Sequence, residues 1–323
     1  MERTEAYYTE LVRNDLVKVE TLMREVLHGI NPNIKNAVDH LLSAGGKRVR
    51  PTLTLLVGGM LDSDHEKIVT LAAAIEMLHT ATLIHDDLID GALLRRGNPT
   101  LNAQWSAGAT VLTGDYIFAR AAQLAADTGS IVLMKIFSEK LMIIVNGEIT
   151  QLFREFSSNI RKDYFDRIYA KTASLFEVAA HGPAILSGED QKSELELKSF
   201  GYELGIAFQI VDDILDFVGD PNKIGKPAGN DLRQGLITLP AVVYFESHPE
   251  DPAFDAIMND PEPNVDLIDP LIARIRVSGA IDQSLQEARE YVASAQSRIE
   301  NMPESQERDA LFELADFVVK RPF

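Results

Sequence analysis

Apolar residues along this 323-residue chain recur at spacings of three and four, and stretches that alternate apolar with polar are few. That period belongs to helices with one buried face, so the pattern predicts an all-α fold with almost no strand. One helix is predicted over about 66 to 90, where Ile68, Leu71, Ala72, Ile75, Leu78 and Thr82 form a stripe and Gly97, Asn98 and Pro99 then mark a stop. A second runs over about 195 to 219 through Leu197, Phe200, Leu204, Phe208, Val211 and Leu215. Both helices end in acidic residues. Between Gly219 and Gly235 stand four Gly, two Pro and two Asn, which reads as a mobile loop. Residues 249 to 270, rich in Pro, Asp and Asn, read as a surface excursion between helices. Neither an internal repeat nor a Ser/Gly/Pro-rich linker divides the chain, so one large domain over residues 1–323 is expected.

Composition narrows the chemistry. Hydrophobic residues make up 46% of the chain, enough for a sizeable core, and no charge-free run reaches the length of a membrane span, so an integral membrane protein is not expected. The start, Met1-Glu2-Arg3-Thr4-Glu5, lacks an apolar signal region, and cytoplasmic localisation is the default expectation. With no cysteine, disulfides, thiolate metal sites and cysteine nucleophiles are excluded, so any metal must be held by oxygen or imidazole. A net charge of -18 disfavours nucleic acid and anionic membranes as partners. Phosphorylated substrates would then need local basic residues or cations.

The two predicted helices carry the same acidic pattern. His85-Asp86-Asp87-Leu88-Ile89-Asp90 and Val211-Asp212-Asp213-Ile214-Leu215-Asp216 are both DDxxD. On a helix, spacings of three and four bring the last aspartate onto a common face with the first two, where like charges repel. A lone DDxxD is equally well a solvated helix end. Two of them embedded in Leu/Ile/Phe-rich helices point to bound cations, because buried charge needs a partner. Magnesium suits such a site, since it takes one or two carboxylates together with substrate phosphate oxygens.

Around these clusters the sequence resembles the trans-isoprenyl diphosphate synthases, most of all the long-chain polyprenyl diphosphate synthases, from about residue 40 to 240. Gly45-Gly46-Lys47-Arg48-Val49-Arg50-Pro51 is similar to the GGKRxRP segment of that family, and Leu83 to Asp90 to its first aspartate motif. Leu94-Arg95-Arg96-Gly97 matches the following RRG, Lys171-Thr172 the KT pair, and Phe208-Gln209 to Asp216 the second aspartate motif. Gly225-Lys226-Pro227 with Asp231 resembles the closing loop. Each match alone is weak; their shared order is specific.

The resemblance implies a single large helical bundle with a central cavity, a homodimer, and Mg2+ as cofactor. It implies that Asp86, Asp87 and Asp90 hold magnesium under an allylic diphosphate, and that Asp212 and Asp216 hold a further ion, with Asp213 the doubtful member. Lys47, Arg50, His79 and Arg96 would bind isopentenyl diphosphate, and Arg95 the allylic diphosphate. The bland readings are a solvated basic loop for Lys47 and Arg50, a satisfied histidine for His79, and an exposed loop lysine for Lys226.

Loss of diphosphate leaves an allylic carbocation, so Lys171, Lys226 and Arg95 would supply fixed positive charge to the leaving group. Thr172 and Gln209 would offer oriented dipoles to the cation without trapping it. No side-chain base is evident, and the departed diphosphate would take the proton. In this family, short-chain enzymes place bulky aromatics four or five positions before the first aspartate, where this chain has Thr82 and Ala81. With Met77 one turn further, a product of about six to ten isoprene units is expected, with geranylgeranyl or farnesyl diphosphate as the alternative. A class I terpene cyclase would lack the isopentenyl diphosphate residues, a non-catalytic subunit would lack intact aspartates, and a di-iron bundle would need Glu-x-x-His pairs.

Overall fold

The computed structural model describes residues 7–25, 31–43, 46–95, 97–153, 159–219, 229–259 and 265–320. Its helices are, in order, α1 (Tyr7–Glu25), α2 (Pro32–Ser43), α3 (Val49–Met60), α4 (His65–Ile89), α5 (Leu101–Gln104), α6 (Ala107–Asp127), α7 (Ile131–Phe153) and α8 (Ile160–Ile168). A π-helical turn, Tyr169–Ala173, joins α8 to α9 (Ser174–Ser187). There follow α10 (Gln191–Val218), α11 (Asn230–Arg233), α12 (Leu239–Ser247), α13 (Ala253–Asn259), α14 (Val265–Val277), α15 (Ala280–Ile299) and α16 (Gln306–Val319). Among the described residues the only strands are β1 (Leu94–Arg95) and β2 (Asn98–Pro99), an antiparallel pair with Leu94 opposite Pro99. The all-α expectation holds.

The chain divides into two compact units. One comprises Met1–Met142, Leu175–Gly201 and Arg298–Leu314. Within it α4 packs against α1, α3, α5 and α6. The Asp64 side chain starts α4 by accepting the N–H groups of Glu66 and Lys67, which satisfies donors that have no partner inside the helix. Every residue from Leu71 to Leu78 is buried, including Glu76. A helix covered on all sides needs little amphipathicity, and α4 accordingly is long and apolar enough to cross a membrane while lying mostly buried among its neighbours. Glu76 is held there by the Arg48 guanidinium at 2.7 Å, and Arg48 also reaches Glu20 at 2.9 Å. In α7 and α9, Lys140 and Glu177 form a buried ion pair at 2.7 Å.

The other unit comprises Ile143–Ser174, Tyr202–Ser297 and Ala315–Phe323. Here α14 packs against α11, α12 and α13, and α12 also meets α8. Arg161 on α8 ties two further helices together, donating to Glu246 of α12 at 2.8 Å and to Glu287 of α15 at 2.9 Å. The Arg276 Nε donates at 2.7 Å to the carbonyl of Phe217, one of the last carbonyls of α10 that the helix itself leaves without a partner.

Two sequence readings change. Residues 249 to 270 are not a bare excursion, because α13 and the start of α14 lie there, with Ala253, Ile257 and Ile268 buried. Proline, aspartate and asparagine masked a real stripe that continues through Leu271, Ile272 and Ile275. Of the expected loop between Gly219 and Gly235, residues 220–228 lie outside the described residues and Asn230–Arg233 is the short helix α11.

Gly201 marks a close approach of α10 to the backbone of α9. A Cβ there would stand 2.4 Å from the carbonyl oxygen of Phe176 and 2.9 Å from Glu177 Cα, both backbone atoms that cannot swing away. Gly201→Ala is therefore expected to destabilise the protein by about 1–3 kcal/mol, the usual range for overpacking, despite alanine's better helix propensity. Denaturant unfolding of the two proteins measures this, and an unchanged midpoint would show that the helices are not in backbone contact.

Candidate functional site

The first aspartate cluster occupies the last turn of α4. Asp87 is buried, 4% exposed, whereas Asp86 is half-buried and Asp90 is exposed. Asp90 is the C-cap residue, so its charge sits at the negative end of the helix dipole, an unfavourable place without a cation nearby. The β1–β2 hairpin turns back at Gly97, whose φ of 78° suits glycine, and thereby returns Arg95 to α4. Arg95 Nε donates to Asp87 Oδ1 at 2.8 Å, which gives the buried carboxylate its counter-charge.

The other predicted residues of this unit spread over α3 and α4. Lys47 is exposed just ahead of α3. Arg50 is not on a solvated loop; it is 8% exposed in the first turn of α3, with its guanidinium 4.9 Å from the centre of the Phe176 ring. His79 lies half-buried two helical turns before Asp86, and its carbonyl accepts the Thr82 hydroxyl at 2.8 Å. Met77 and Ala81 are fully buried one turn apart, and Thr82 is half-buried. Arg96 and Lys226 lie outside the described residues.

The second cluster is on α10, opposite the π-helical turn of Tyr169–Ala173. Thr172 on that turn is buried, and its hydroxyl donates to Gln209 Oε1 at 2.6 Å. Gln209 Nε2 donates to Asp213 Oδ1 at 2.7 Å, and the Tyr164 hydroxyl donates to Asp213 Oδ2 at 2.8 Å. Burial, then the neighbouring Asp231 carboxylate, push Asp213 up to about 7, against the pull of Gln209, Arg167 and Tyr164. Burial, then the Asp213 charge, likewise raise Tyr164 well above the ordinary range, so it remains a hydroxyl donor.

Asp212 and Asp216 are half-buried. The two carboxylate oxygens of Asp216 accept the backbone N–H groups of Asn230 and Asp231 at 3.2 and 3.1 Å, which fastens the start of α11 to α10. Lys171 is exposed and pairs with Glu148 of α7 at 3.0 Å. The sequence reading missed Glu148, Tyr164 and Arg167. Glu148 alone had a visible signal, being an acid in the apolar run of α7, while Tyr164 and Arg167 look like ordinary helical residues until the fold places them beside Asp213.

Among the described residues no three carboxylate or imidazole groups gather closely enough to enclose a cation by themselves. The donors present are hard oxygens, and magnesium completes its shell with water and phosphate oxygens, so the aspartates fit an ion that arrives with a diphosphate. Asp213 fits least, since it is buried and both its oxygens accept hydrogen bonds from side chains, whereas Asp216, whose oxygens accept two backbone N–H groups, is half-buried.

Comparison with known proteins identifies the family. The chain is 36% identical to heptaprenyl diphosphate synthase component 2 of Bacillus subtilis, over 97% of this chain and 89% of that one. It is 34% identical to octaprenyl diphosphate synthase of Escherichia coli, over 97% of both. Among solved structures, a polyprenyl synthase from Caulobacter crescentus complexed with calcium and isoprenyl diphosphate superposes with a TM-score of 0.89 at 35% identity, covering 98% of this chain and 97% of that one. The polyprenyl synthetase family model matches residues 31–275, within which all the predicted site residues fall, and the chain belongs to that family.

Proposed function

We propose that this protein is a magnesium-dependent prenyltransferase that condenses isopentenyl diphosphate with an allylic diphosphate and builds a linear all-trans polyprenyl diphosphate. The observation that carries this reading is a division of labour inside each DDxxD. The middle aspartates, Asp87 and Asp213, are buried on protein partners, and the flanking Asp86, Asp90, Asp212 and Asp216 keep access to solvent. Those four are the residues proposed to hold the metal. Bound magnesium would act as a Lewis acid on the departing diphosphate.

The chain's own groups do the rest. Lys171, with Lys226 and Arg95, offers fixed positive charge to the allylic leaving group, and Lys47, Arg50, His79 and Arg96 bind the diphosphate of isopentenyl diphosphate. Lys171 is held by Glu148 and Arg95 by Asp87, so each reaches its task from an existing ion pair. Thr172 and Gln209 present oxygen dipoles to the allylic cation and no carboxylate that could capture it. The departed diphosphate removes the final proton.

Product length follows from steric depth. Ala81 and Thr82 are small, and Met77 is a flexible side chain one turn beyond Ala81, so a growing tail of about six to ten units passes this level of α4. Relatives named for heptaprenyl and octaprenyl diphosphate support a long product. A homodimer is supported by large apolar side chains left exposed on α6 and α7, among them Leu112, Ile131, Met142, Leu152 and Phe153.

Chelation of magnesium is expected to abolish condensation, and Asp86→Ala or Asp90→Ala to lower the rate about a hundredfold or more, as loss of a major electrostatic group does. Full turnover in excess chelator, followed with radiolabelled isopentenyl diphosphate, would eliminate the metal-assisted mechanism. Lys47→Ala should raise the KM for isopentenyl diphosphate more than that for the allylic primer, and Arg95→Ala should show the reverse bias. Equal effects on both substrates would mean that the two sites are misassigned. Ala81→Tyr should shorten the product to farnesyl or geranylgeranyl length with ionisation intact, which chromatography of the dephosphorylated products resolves. A variant with unchanged products would remove α4 as the gauge of length.

A further inference from the structure

The hydrogen bonds around Gln209 have a direction, and that direction has a source. An amide side chain can turn either its oxygen or its NH2 toward a given neighbour. Here the NH2 meets Asp213 Oδ1 at 2.7 Å and the oxygen meets the Thr172 hydroxyl at 2.6 Å. Asp213 is held in turn by the Tyr164 hydroxyl at 2.8 Å on its other oxygen, and it is 3% exposed. In its ionised form Asp213 offers acceptors only, and that form selects the orientation in which Gln209 gives it the NH2. The reversed amide would set oxygen against oxygen at Asp213 and would turn two positively polarised hydrogens toward Thr172.

We propose that Asp213 and Tyr164 are positioning residues for the carbocation step, fixing Gln209 so that its carbonyl, and the Thr172 hydroxyl bonded to it, keep their negative ends available to the allylic cation. This inference rests on the prenyl-transfer reading of the site. It assigns the second aspartate of the second cluster a task distinct from metal binding. Tyr164 lies on α8 and Thr172 on the π-helical turn, so the same stretch of chain grips both ends of the network on α10.

The relay makes different demands from a metal ligand. Asp213→Asn keeps the shape but can present an NH2 to Gln209, which permits the reversed amide. It is expected to lower kcat by about tenfold to a hundredfold, on the scale of losing one preorganised dipole, while the KM values and the magnesium concentration giving half-maximal rate stay near those of the wild type. Tyr164→Phe, which leaves the carboxylate in place, should lose less. Affinity gives a readout independent of turnover. An allylic analogue carrying an ammonium at the cationic carbon should bind Asp213→Asn about tenfold more weakly, and an unreactive allylic thiolodiphosphate should bind as before, because only the former resembles the transition state.

In a Gln209→Ala background, adding Asp213→Asn should cost little more, because the two act in series. A wild-type control that does not condense the substrates would count against the assigned reaction as a whole. With an active control, a shifted magnesium midpoint, equal loss of both analogues, or additive effects of the two substitutions would overturn the positioning role.

Discussion

Carboxylates inside an apolar helical framework are tolerated only where each has a defined partner, and this requirement organises both acidic helices. Asp87 is answered by Arg95, Asp213 by Gln209 and Tyr164, Glu76 by Arg48, and Glu177 by Lys140. The hairpin after α4 brings Arg95 back to Asp87, and α11 starts where Asp216 can accept its first N–H groups. Two clusters that look identical as DDxxD thereby differ within themselves, each having a buried middle aspartate fixed by side-chain partners between flanking aspartates that are more exposed.

Much of this was legible in the sequence. The periodicity of three and four located α4 and α10 to within a few residues of His65–Ile89 and Gln191–Val218, because long apolar stripes leave few alternatives. The two clusters, the KT pair and the position of Ala81 also came from the sequence. What escaped it depends on tertiary packing. Arg50, assigned to substrate binding by resemblance with a solvated basic loop as the bland reading, is buried against an aromatic ring that stands 126 positions away in sequence, at Phe176. The helices α13 and α14 were hidden because proline and aspartate dominate the composition there, although the buried stripe is apolar. No residue type announces a π-helical turn.

The charge balance gains meaning from the same geometry. With a net charge of -18, the protein as a whole repels the diphosphates that its family uses. Under the proposed function recognition is local, and two of the basic residues proposed for it are held by specific acids: Arg95 by Asp87 and Lys171 by Glu148. Such pairs keep a cationic side chain in one place before a substrate arrives, which reduces the ordering required on binding.

The π-helical turn also sets an angular phase. Tyr164 and Thr172 are eight residues apart, and an uninterrupted α-helix of 3.6 residues per turn would leave them about 80° apart in azimuth. A wider turn advances fewer degrees per residue and takes back part of that rotation, so that both side chains can attach to residues one turn apart on α10. Sliding the wide turn along the sequence, with every side chain kept, would carry Thr172 away from Gln209. The orientation of this pair is thus encoded in where the backbone changes pitch as much as in which residues are present.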